Sequence, residues 1–89
     1  MNENERNEII EQGRQAKTIL DTPLFNQVID EMRAACMHEL ESNTTGDPDK
    51  IMPVWRQLKS INKFKENITA KLSNASVERH NEQWDKDNA

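Results

Sequence analysis

The sequence predicts an all-α protein: a three-helix hairpin or bundle with a long third helix, completed by association with another chain. Three observations carry this. Two short breaks, Asp21-Thr22-Pro23-Leu24-Phe25 and Gly46-Asp47-Pro48, divide the 89 residues into three segments. Each segment spaces its apolar residues by threes and fours, the period of a helix with one buried stripe. Each break also sets a polar or acidic residue directly before proline. There the side-chain oxygen can accept from the free N–H groups of a first helical turn, and proline gives up no needed donor.

The first segment, residues 3–20, repeats Ile9, Gly13, Ala16 and Leu20, with Ile10 and Ile19 on the flanks. This narrow seam of mostly small side chains lets a neighbouring helix come close, although Gly13 costs about 1 kcal/mol of helix propensity relative to alanine. Glu3, Glu5, Glu8 and Glu11 crowd the early turns, where negative charge complements the helix dipole. The second segment, residues 23–41, aligns Phe25, Ile29, Met32, Cys36 and Leu40, with Leu24, Val28 and Met37 at the edges. That stripe is broad enough to touch two neighbours. The link between these segments is so short that it predicts a hairpin of the first two helices. Ser42 to Asp47 reads as a polar loop in which Gly46 supplies a backbone conformation that other residues resist.

The third segment, residues 48–77, carries Val54, Leu58, Ile61, Phe64 or Lys65, Ile68, Leu72 and Ala75 at nearly heptad spacing. It reaches roughly 40 Å as a helix, against about 27 Å for each earlier segment, so part of it is expected to project beyond the bundle. A projecting apolar seam wants a partner. The expected self-association seam is Phe25, Ile29, Met32, Val54, Leu58, Ile61, Phe64, Ile68 and Leu72. Pro53 removes the bond to the Asp49 carbonyl and predicts a kink or a separate short turn. Residues 78–89 read as a polar, frayed tail in which Trp84 is a candidate anchor onto another chain.

Composition points the same way. A chain of this length buries only about 60–65% of its unfolded surface, aromatics number four, and 31% of residues are charged, so the core is expected to be thin. One cysteine, Cys36, allows no disulfide within the chain and reads as a small buried hydrophobe; with no ligand set for a structural metal either, association is the remaining support. There is no run of about 18 apolar residues, and the acidic, Asn-rich start lacks a signal peptide's basic and apolar regions. The expectation is a protein inside the cell that makes it, with no membrane partner. Asn-x-Ser/Thr triplets at Asn43, Asn67 and Asn74 are what so Asn-rich a chain produces by chance.

Charge is unevenly placed. Residues 1–50 hold eleven acids and five bases, whereas residues 51–75 hold five bases, including Arg56, Lys59, Lys63 and Lys65, against Glu66 alone. Arg56, Lys59 and Lys63 share one helical face, a basic face expected first to pair with acidic helices of its own or another chain. Nucleic-acid binding through it ranks lower, because the charges are few and no recognition signature accompanies them.

Catalytic constellations are missing from the pattern. His38 and His80 lie far apart, Cys36 and His38 point to different helix faces, and no Glu-x-x-His or His-x-x-x-His spacing offers a metal site. Two glycines cannot build a phosphate-cradling loop, and the carboxylates sit on solvated faces. The sequence predicts no enzyme, no cofactor and no metal.

The succession of apolar helix, Leu20-Asp21-Thr22-Pro23-Leu24-Phe25, helix, polar loop, and long helix with Trp55, Leu58, Ile61 and Ile68 resembles small all-helical proteins of tailed bacteriophages. The resemblance covers about residues 9–75 and implies a non-catalytic role in the host cytoplasm or in the virion. Three functions follow in order. The first is a self-associating structural or assembly protein, the second a small acidic inhibitor or adaptor of a host protein, and the third a nucleic-acid binder through the basic face.

Overall fold

The computed structural model describes residues 2–43 and 46–88. Three α-helices and no strands are found among them: α1 (Glu3–Leu20), α2 (Pro23–Ser42) and α3 (Pro48–Asp87). The helix starts follow the local chemistry. Asn2 caps α1, its Oδ1 accepting the Glu5 N–H at 2.8 Å while its amide donates to the Glu5 carboxylate. Asp47 Oδ1 accepts the Asp49 N–H at 3.0 Å at the start of α3, as the Asp-Pro signal predicts. α1 stops at Asp21, whose carboxylate pairs with Lys17, and the Thr22 hydroxyl donates to the Thr18 carbonyl. Gly46 has φ +68°, the left-handed conformation expected of it. Thr44 and Thr45, the middle of the expected loop, lie outside the described residues.

The chain forms two compact units. The first joins residues 1–22 to 67–89, and the second is residues 23–66. In the first, α1 packs on the C-terminal half of α3; in the second, α2 packs on its N-terminal half. Each unit is thus a helix pair made with its own stretch of α3.

Small residues set the packing in the first unit. Gly13, Ala16 and Ala75 are buried, Ala75 completely. A Cβ on Gly13 would land on the Cβ of Ala75 and 3.2 Å from the Lys71 carbonyl oxygen, so the close approach expected of this seam is real and requires glycine. Arg6 adds a polar clamp: its Nε donates to Glu78 at 3.2 Å and its Nη1 to Asp85 at 3.0 Å. Residues 78–87, expected as a frayed tail, are helical. The Arg6 clamp holds them from α1, and Lys86–Glu82 and Gln83–Asp87 pairs support them along the helix surface.

The core of the second unit is Ile29, Cys36, Leu58 and Ile61, with Phe25, Leu40 and Val54 packed against it. Cys36 is buried, as expected. α3 runs through Pro53 as one helix, without the separate turn expected there. Pro53 is its sixth residue, so the lost bond falls on Asp49, near the helix start, where the break does least damage.

Candidate protein-interaction surfaces

Among the described residues ten large apolar side chains stay exposed, and seven of them belong to the second unit: Leu24, Val28, Met32, Met37, Met52, Trp55 and Phe64. Two helices bury one seam between them, and the rest of a broad stripe has nowhere to go within the unit. A groove of about 490 Å³ opens between α2 and α3. Phe25, Val28, Ile29 and Met32 line one wall at i, i+3, i+4 and i+7; Gln57, Ser60, Ile61 and Phe64 line the other. No charged side chain is among them. The Phe25 and Phe64 rings join the walls, their centroids 6.2 Å apart and tilted by 47°. Phe64 is 54% exposed, whereas Phe25 is half-buried.

The expected self-association seam divides in three. Ile29, Leu58 and Ile61 are buried between the helices, with Phe25 and Val54 packed on them, and Phe25, Ile29 and Ile61 also line the groove. Ile68 and Leu72 are half-buried in the first unit. Met32 and Phe64 remain as surface, joined by Val28, which the sequence placed only at the edge of its stripe.

On α3, Arg56, Lys59 and Lys63 are exposed, and Lys59 Nζ lies 5.7 Å from the centroid of the Trp55 ring. These three bases make no ion pair among the described residues, whereas the ion pairs of Arg6, Arg14, Lys17 and Lys86 all belong to the first unit. Lys65 leaves the basic face. It falls in the register of Leu58 and Ile61 and is half-buried. Trp84, expected in a mobile tail, sits 61% exposed on the last turns of α3. The Arg6 clamp with Glu78 and Asp85 escaped sequence reading, although Ala75, Glu78 and Asp85 follow one another at three and seven, a spacing that keeps them on one face.

A small cavity of about 190 Å³ in the first unit is lined by Gln12, Gln15, Ala16, Ile19, Ile68 and Lys71. No cluster of three or more His, Cys, Asp or Glu side chains able to hold a metal occurs among the described residues, and no helix there is long and apolar enough to cross a membrane. Comparison with protein-family models, with curated proteins and with solved structures finds no match.

Proposed function

We propose that this chain is a self-associating interaction protein, with two copies meeting groove to groove through the second unit. The observation that carries this reading is the uncharged groove whose walls include Val28, Met32 and the half-exposed Phe64. Apolar surface of this kind on a small chain marks a contact site, and an isologous pairing desolvates no charge. The product would be four helices around a shared core, a better-buried arrangement than a pair. The role is structural or assembly-related and proceeds through contacts, in keeping with the phage helical proteins the chain resembles.

Phe64→Glu and Met32→Glu test it. Both residues are exposed, so a folded monomer tolerates the charge at its surface, while a closed interface does not. The native chain is expected to melt at a temperature that rises with concentration, and both variants at one that does not. A concentration-independent melt for the native chain would refute self-association.

A further inference from the structure

We propose that the exposed face of α3 formed by Trp55, Arg56, Lys59 and Lys63 docks an acidic amphipathic segment of another protein. The inference stands apart from self-association, because none of these four residues lines the groove. Arg56, Lys59 and Lys63 stand at i, i+3 and i+7, a row of three cations over about 10 Å of helix. They are exposed and make no ion pair among the described residues; the next acid along, Glu66, comes only a turn beyond Lys63. Beside them lies apolar surface: Trp55 and Met52 are each 43% exposed. The row therefore offers both terms of a docking site, unneutralised charge and adjoining aromatic area.

Charge and geometry select the occupant. A partner helix with carboxylates at i, i+3 and i+7 matches the row residue for residue, and an apolar side chain next to them covers the Trp55 ring. A nucleic acid fits less well. A chain of net charge −4 repels an extended polyanion beyond the few phosphates that three cations could meet.

The test uses the full chain carrying Trp84→Phe, so that Trp55 is the sole indole. The probe is a fluorescein-labelled helical peptide with glutamates at i, i+3 and i+7 and leucines beside them. Its control has the same composition with the glutamates spread around the helix. Expected are saturable binding of the patterned peptide, a change in Trp55 emission, and about tenfold weaker binding by Arg56→Gln/Lys59→Gln/Lys63→Gln with the helical circular-dichroism signal unchanged. Equal binding of the control peptide, no saturable binding, or an affinity untouched by the triple substitution would overturn the proposal. So would preferential binding of a thymidine 20-mer over the peptide.

Discussion

At Gly13 two opposing effects meet at one Cβ. Alanine is worth about 1 kcal/mol in a helix relative to glycine, but its methyl would occupy the place of the Ala75 methyl, which has no rotamer with which to move aside. Overpacking of this kind costs about 1–3 kcal/mol, so Gly13→Ala is expected to destabilise the protein in urea despite the gain in propensity. In a double-mutant cycle with Ala75→Gly the two substitutions should together cost less than their sum by about 1 kcal/mol; additive effects would mean the helices are not in contact there. Glu11 offers a pH signature. Arg14, hydrogen-bonded to it through Nε at 2.9 Å, with help from Gln15, holds its carboxyl down at about 2 from an ordinary 4.5. A depressed carboxylate stabilises the folded state above its unfolded value, and that contribution fades as pH falls from 4.5 through about 2. The pair is solvent-exposed and its effect small. Glu11→Gln should melt slightly below the native chain at pH 6, and the two curves should converge by pH 2.

Among the elements, α3 shows best what the sequence discloses. Its start was legible because Asp47, Pro48 and Gly46 each have one local role, and each plays it. Its end was not. Residues 78–87 have no apolar stripe, and what keeps them helical is the distant Arg6, a contact that no local pattern encodes. The partner of each helix was equally hidden, since apolar stripes on α1, α2 and α3 satisfy one another in any pairing. Gly13 with Ala16 did announce a close crossing but not the helix being crossed. Of the expected basic face, Arg56, Lys59 and Lys63 are exposed and Lys65, in the register of Leu58 and Ile61, is half-buried. Pro53 makes the element's own prediction. Pro53→Ala restores the bond to the Asp49 carbonyl and removes the ring's crowding of it, so α3 should gain at least about 1 kcal/mol. The check is a urea titration at fixed protein concentration, and an unchanged midpoint would mean that the helix start is not part of the cooperative unit.

On the scale of the whole molecule, polar and apolar contacts are divided between the two units. In the first, small residues and the ion pairs of Arg6 join α1 to α3, and Arg14, Lys17 and Lys86 pair locally along their own helices. The second has a core of four buried residues, keeps most of the exposed apolar side chains, and presents three bases without ion pairs among the described residues. On this account the second unit is the working surface, with its groove turned to another copy and its basic face to an acidic partner. Light scattering on the purified chain at two concentrations a hundredfold apart tests the central claim most directly. The account predicts a mass near twice 10.4 kDa at the higher concentration, falling to the single-chain mass on dilution or on Phe64→Glu substitution. A mass of one chain at both concentrations would contradict it.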